Sequence, residues 1–141
     1  LLRAWKGQVY AIEKKEDALA LLKENRRKFA TDNLEIVPGT APEAMVELPV
    51  PTHAFIGGSS GNMNEIIRLL LDKNPKVRIV INCITLETVT EAMNAIRDFS
   101  LTDVDIVQLS AARSKSIGRY HMMMGENPIY IISCSGRGEE I

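Results

Sequence analysis

Three groups of residues have the types and spacing to do chemistry. The first lies in HAFIGGSSGNMNEII, His53 to Ile67, where Gly57-x-Ser59-x-Gly61 fits the G-x-S-x-G pattern of a nucleophile elbow. A serine hydrolase would add an acid and then a base along the chain, and Asp103 and His121 stand in that order. The same turn also suits the wall of a nucleotide-like pocket, because glycine has no β-carbon and lets a ligand approach the backbone closely. The pocket wall ranks above the hydrolase. Acidic residues are plentiful, His121 is one of only two histidines, and no HGGG-like oxyanion loop precedes the serine. A tight turn whose serines bond their own backbone explains Ser59 as well as any chemical role does.

The second group sits at strand ends. Glu13 closes the first strand-like run, where a carboxylate could accept both hydroxyls of a ribose. Thr40 and Ala41 follow the next run and could edge an adenine, and Gly57 and Gly58 follow the third. Each has an ordinary explanation as well: a first-turn acid, a helix cap and a tight turn. What raises them is their common place at successive strand ends, where one ligand could touch all three. The third group is Arg113, Lys115, Arg119 and His121, with Tyr120 among them. Arginine's bidentate geometry makes a carboxylate or phosphate site plausible there, although a solvated loop face explains such runs more often. Met122, Met123 and Met124 read as packing residues rather than a metal site. No His/Cys/Asp/Glu group has metal-ligand spacing, and GGSSGN lacks the Gly-Lys-Ser/Thr ending of a phosphate loop.

These residues need a scaffold of alternating strands and helices. Gln8 to Glu13, Leu34 to Val37, Thr52 to Gly57, Val77 to Cys83 and Val104 to Leu109 read as strands spaced like successive βα units. Glu16 to Phe29 reads as a helix with Ala18, Leu22 and Phe29 inward. Thr40 with Glu43, and Asn62 with Glu65, have the capping-box spacing. The helix after Asn62 shows an apolar face of Met63, Ile66, Ile67, Leu70 and Leu71. VRIVINC, nearly all apolar, reads as a central strand covered by helices on both faces. Thr85 caps a helix with Leu86, Val89, Met93, Ile96 and Phe99 inward, ending near Ser100. Val104–Leu109 and Pro128–Ser133 should pair antiparallel, joined by a long polar loop from Ser110 to Asn127. Leu1 to Trp5 reads as the last turn of a helix, and the tail from Gly136 to Ile141 as frayed.

Composition bounds the class. A chain of 141 residues, 45% hydrophobic and 25% charged, suits one domain with a real core. A net charge of -1 argues against a general polyanion binder such as a nucleic-acid protein. No apolar run approaches a membrane span. Cys83 and Cys134 read as buried free thiols of a reducing compartment, which places the protein in the cytoplasm.

FIGGSSGNMNEII, INCITLETVTEAM and ARSKSIGRYHMMMGENPIYII together resemble the precorrin-6Y methyltransferase family of cobalamin biosynthesis, of the CbiT or CobL C-terminal type. The resemblance runs from about Gly7 to Ser133. It implies a Rossmann-like, class I methyltransferase fold, α/β and doubly wound with an antiparallel last strand, using S-adenosyl-L-methionine. It implies methylation of a tetrapyrrole precursor with decarboxylation of an acetate side chain, and homo-oligomers, with a tetramer expected. A CbiE-type domain, fused or separate, would handle the companion methylation. By this resemblance Glu13 meets the cofactor ribose, Ala41 the adenine, and Gly57 and Gly58 the floor of the cleft. Thr40 stands where the family usually has an acidic residue. Ser59, Arg113, Lys115, Arg119 and His121 are then the expected substrate contacts, the cations facing its carboxylates. The family's D-x-G-x-G-x-G loop and first strand are expected upstream of Leu1, so the chain reads as a single but incomplete methyltransferase domain. A non-catalytic binding or assembly module is the remaining alternative.

Overall fold

The structure is a computed structural model and describes residues 7–58 and 61–138. The helical turn expected at Leu1 to Trp5, Ser59, and the last three residues of the tail lie outside the described residues. The chain forms two compact units, Leu1–Pro49 and Val50–Ile141.

In the first unit, strand β1 (Val9–Glu13) leads through helix α1 (Glu16–Lys28) to strand β2 (Leu34–Pro38). The two strands pair in parallel, with Val9 opposite Leu34 and Glu13 opposite Pro38. This is the βα unit that the alternation of β-rich and amphipathic runs predicts. Within α1, Ala18 and Leu22 are half-buried as expected. Phe29, however, is exposed, because it caps the helix beyond the face that meets β2. The capping box expected at Thr40 is absent. A single 3₁₀ turn, Glu43–Met45, starts from Pro42 without a side-chain cap bond, while the Thr40 carbonyl accepts from the Ala44 N–H.

The second unit is built on a four-stranded sheet. Strand β3 (His53–Ile56), helix α2 (Met63–Lys73), strand β4 (Arg78–Cys83) and helix α3 (Leu86–Asp98) follow one another. Next come β5 (Thr102–Leu109), β6 (Ala112–Ile117), β7 (Tyr120–Gly125) and β8 (Ile129–Ser135). The sheet order is β3-β4-β8-β5. β3 and β4 are parallel, and β8 runs antiparallel to both β4 and β5, as the missing helix between the last two predicted strands implies.

The core of this unit comes from one face of the sheet. Ile79, Ile81 and Cys83 of β4 and Ile132 and Cys134 of β8 are fully buried, together with Met63 and Ile67 of α2. Helix α2 follows its predicted face closely, with Met63, Ile66, Ile67 and Leu70 buried and Leu71 half-buried. Its N-cap Asn62 makes no side-chain cap bond. Helix α3 is capped as expected: Thr85 Oγ1 accepts from the Thr88 N–H at 3.1 Å. Its inner face differs from the expectation. Ala92 and Ala95 are buried, whereas Leu86 and Met93 are exposed, because two small residues let the helix lie close on β4 and β8.

Three further expectations are corrected. β4 is not buried on both faces: Arg78, Val80 and Asn82 alternate with the buried residues and stay part-exposed. The segment from Ser110 to Asn127 is not a loop but the hairpin β6–β7, closed by the two-residue turn Gly118-Arg119. Gly118 has φ +59°, the left-handed conformation such a turn requires. The tail is not frayed at its start. Gly136 is buried and its N–H donates to the Val77 carbonyl, while the Gly138 N–H donates to Pro75. Among the described residues no helix is long and apolar enough to cross a membrane.

Candidate functional site

In the first unit the parallel register brings the expected cofactor residues to one edge. Glu13 ends β1 opposite Pro38, and Thr40 and Ala41 leave β2 just beyond it. The backbone reinforces this edge, since the Gly39 N–H donates to the Glu13 carbonyl at 3.0 Å. Gly39 has φ +144°, and a β-carbon there would stand 3.0 Å from that of Ala44, so glycine is what the turn accepts. The Glu13 carboxylate is oriented by its own turn: Oε1 accepts from the N–H of Lys14 at 2.8 Å and of Lys15 at 2.9 Å. Those bonds, Lys15 first and then Lys14, hold the carboxyl below the ordinary glutamate range. Oε2 accepts nothing from the described residues. A fixed carboxylate with one open oxygen, at the carboxyl end of a parallel strand, is suited to a pair of vicinal hydroxyls. The residues present therefore fit the ribose of a nucleoside cofactor.

In the second unit Gly57 and Gly58 follow β3 and are both exposed. Neither needs to be glycine for its backbone angles: the positive φ of this turn belongs to Gly61, at +87°. A β-carbon on Gly58 would meet no atom of the described residues within 4 Å. A β-carbon on Gly57 would stand 3.3 Å from Phe55 Cε1, and bare, exposed backbone of this kind leaves room for a ligand to lie close. Ser59 lies outside the described residues. The other two hydrolase residues are not assembled. Asp103 sits at an irregularity of β5, where the ladder to β8 steps from Thr102 to Asp105, and His121 is on the exposed hairpin. They share no hydrogen bond or ion pair.

The four cations of the expected substrate site do not form one cluster. Cross-strand partners share a face of a hairpin. Arg113 with Met124, Lys115 with Met122, and Ile117 with Tyr120 therefore lie on one face; Ser114 with Met123, and Ser116 with His121, lie on the other. Arg119 occupies the turn and is held on Tyr120, donating to its hydroxyl from Nε at 3.2 Å and Nη2 at 3.0 Å. Arg113 makes only a loose, exposed pair with Glu126 at 4.0 Å. Arg113 and Lys115 are thus brought together and His121 is turned away. Every residue of the hairpin is exposed.

One polar residue escaped the sequence reading. Asn82, the only uncharged polar side chain in VRIVINC, is next to last in β4, and its Oδ1 is shielded from solvent without a hydrogen-bond partner among the described residues. An amide inside an apolar strand run is the signal that was available. Cys83 and Cys134 are buried free thiols, and burial raises both above the usual range. Among the described residues no group of three or more His, Cys, Asp or Glu could hold a metal ion.

Comparison with known proteins extends this geometry. A family model described as precorrin methyltransferase domain matches residues 1–135, through both units. A probable cobalt-precorrin-6B C(15)-methyltransferase (decarboxylating) of Methanothermobacter thermautotrophicus is 38% identical over 127 residues, covering 89% of this chain and 66% of that protein. The chain thus spans just under two thirds of the length of that relative. Among solved structures, a precorrin-6Y C5,15-methyltransferase from Geobacter metallireducens superposes with a TM-score of 0.81 at 33% identity, over 92% of this chain and 68% of that one. An S-adenosylmethionine-dependent O-methyltransferase from Thermotoga maritima superposes at 0.70 with 15% identity, over 97% of this chain and 53% of that one, a likeness of fold alone.

Proposed function

The chain belongs to the precorrin methyltransferase domain family and has the class I methyltransferase fold, and from that premise we propose that the protein methylates a precorrin or cobalt-precorrin macrocycle with decarboxylation of an acetate side chain, in cobalamin biosynthesis. The observation that carries the reading is the family match over residues 1–135. The strand-end geometry of Glu13 supports it. The hydrolase alternative has no support in the relatives, and the assembly-module alternative gives way with it.

When bound, S-adenosyl-L-methionine supplies an electrophilic methyl group. The protein's share is binding and orientation, since a carbon nucleophile held in line needs positioning more than a strong base. Glu13 Oε2 would accept from the ribose hydroxyls, with Oε1 pinned by the Lys14 and Lys15 amides. Thr40 and Ala41 would edge the adenine, and the bare, exposed backbone of Gly57 and Gly58 in the second unit would let a ligand approach closely. Arg113 and Lys115 face substrate carboxylates; Arg119, held on Tyr120, and His121, on the opposite face, are withdrawn from that role.

A two-stranded hairpin exposed on both faces is marginal in water. Met122, Met123 and Met124 stand 45–64% exposed on it, so a second copy covering them, in a tetramer, completes the reading. The buried thiols suit a reducing, cytoplasmic setting. The test is incubation with methyl-labelled S-adenosylmethionine and cobalt-precorrin-6B. Label on the macrocycle with matching release of carbon dioxide is expected. Neither product, from a substrate that a known relative converts, contradicts the reading.

A further inference from the structure

Strand β4 carries an unfinished hydrogen bond. Ile79, Ile81 and Cys83 point into the core, so Arg78, Val80 and Asn82 point to the other face of the sheet. Arg78 is satisfied there, donating from Nη1 to Ser135 Oγ and from Nη2 to Ser133 Oγ, each at 3.1 Å. Asn82 is not: its Oδ1 is sealed from solvent and accepts no hydrogen bond from the described residues. A carbonyl oxygen in that state has lost its bonds to water and gained none, a cost that native structures rarely bear without a reason.

The neighbours explain why the protein leaves it unpaired. On one side the antiparallel register places Asn82 opposite Ile131 of β8, which has no donor. On the other, Ile56 pairs with Ile81, so the next residue, Gly57, comes level with Asn82 and has no side chain. Val80 precedes it on the same face. Among the described residues the side chains level with Asn82 on both sides are apolar or missing, and Ser133, the next hydroxyl on this face of β8, is engaged by Arg78. The site is also where a ligand would be expected, at the carboxyl end of a strand in an open α/β sheet and beside the bare backbone of Gly57 and Gly58.

We propose that Asn82 is a ligand-binding residue of the methyl-transfer site, its Oδ1 accepting a hydrogen bond from an N–H or O–H group of a bound molecule. This rests on the methyltransferase reading above. Ionised carboxylates on the macrocycle are excluded as partners, because they have no proton to give. Two sources share the required chemistry: the ammonium, hydroxyl or amino groups of the methyl donor, and the ring N–H groups of the tetrapyrrole.

The test uses Asn82→Leu, which removes the amide, and Asn82→Asp, which keeps an acceptor oxygen in place. Three quantities are measured on the whole chain: the melting temperature without ligand, the Kd for S-adenosylhomocysteine, and the KM for cobalt-precorrin-6B. Asn82→Leu should melt no lower than the parent protein, since an unpaired amide oxygen has been removed. Either Kd or KM should rise by about tenfold to a hundredfold, and Asn82→Asp should restore most of that loss. A rise in Kd identifies the methyl donor as the source of the proton; an unchanged Kd with a raised KM identifies the macrocycle. If Asn82→Leu melts several degrees lower, or fails to fold, Asn82 is structural and the assignment is wrong. Unchanged Kd and KM in Asn82→Leu overturn it as well. If the parent protein itself binds no S-adenosylhomocysteine, the methyltransferase reading falls first and this assignment with it.

Discussion

Gly136 offers a test in which the magnitude can be worked out from neighbouring atoms. It follows β8 and is buried against the turn between α2 and β4. A β-carbon there would be driven into the Pro75 carbonyl oxygen and would stand 2.7 Å from Leu71 Cδ2. Leu71 can rotate away. Pro75 cannot, because its carbonyl accepts from the Gly138 N–H at 2.9 Å while the Gly136 N–H is tied to Val77 at 3.0 Å. Gly136→Ala must therefore either overpack, at about 1–3 kcal/mol, or peel the end of β8 away and lose both backbone bonds, at about 1 kcal/mol each. A loss of about 3 kcal/mol should lower the melting temperature by roughly 10 °C in a chain of this size. Gly58→Ala is the matched control. Its β-carbon meets nothing within 4 Å among the described residues, so it should melt within about 2 °C of the parent and yet bind S-adenosylhomocysteine more weakly. Thermal unfolding by circular dichroism reads both. A drop of less than about 3 °C for Gly136→Ala would refute the packing argument.

Other outcomes follow from the same geometry. Thr85→Ala removes the oxygen that caps α3 and should cost about 1 kcal/mol, a fall of roughly 3 °C in melting temperature. Cys83 and Cys134, buried and with raised pKa values, should not react with a thiol reagent in the native state at neutral pH, and both should react in denaturant. Arg113→Met with Lys115→Met should raise the KM for the macrocycle about tenfold and leave S-adenosylhomocysteine binding unchanged, whereas His121→Gln should alter neither. Glu13 titrates below the ordinary glutamate range, so its contribution is present at and above that range and is lost as pH falls through the lowered value. Cofactor affinity should accordingly be flat through neutral pH and decline only in acid.

Much of this was legible in the residues because the relevant signals are local. The apolar spacing of Met63, Ile66, Ile67 and Leu70 fixes α2 and its buried face, and Thr85 marks the start of α3. What failed depended on neighbours remote in sequence. Leu86 and Met93 have the helical spacing of a core face, yet the close approach permitted by Ala92 and Ala95 turns them outward. VRIVINC looks buried on both sides, but only alternate residues are covered. The β6–β7 hairpin was hidden because charges and three consecutive methionines obscure its alternation, and only Gly118-Arg119 signals the two-residue turn. That same hairpin divides cations that sit close together in sequence. The place of Glu13 was the most readable feature of the candidate site, since it depends on the end of a single strand. Asn82 was missed because an unpaired amide is visible only once the residues on both sides of it are known to be Gly57 and Ile131.

The central claim is that the edge at Glu13 holds a nucleoside cofactor for methyl transfer. Calorimetric titration of S-adenosylhomocysteine into the parent protein and into Glu13→Gln tests it most directly, because glutamine keeps an oxygen for the Lys14 and Lys15 amides and replaces the open acceptor with a donor. Saturable binding by the parent, weakened by about tenfold or more in Glu13→Gln at an unchanged melting temperature, is the expected result. Equal affinity in the two proteins, or no binding to the parent, would contradict the claim.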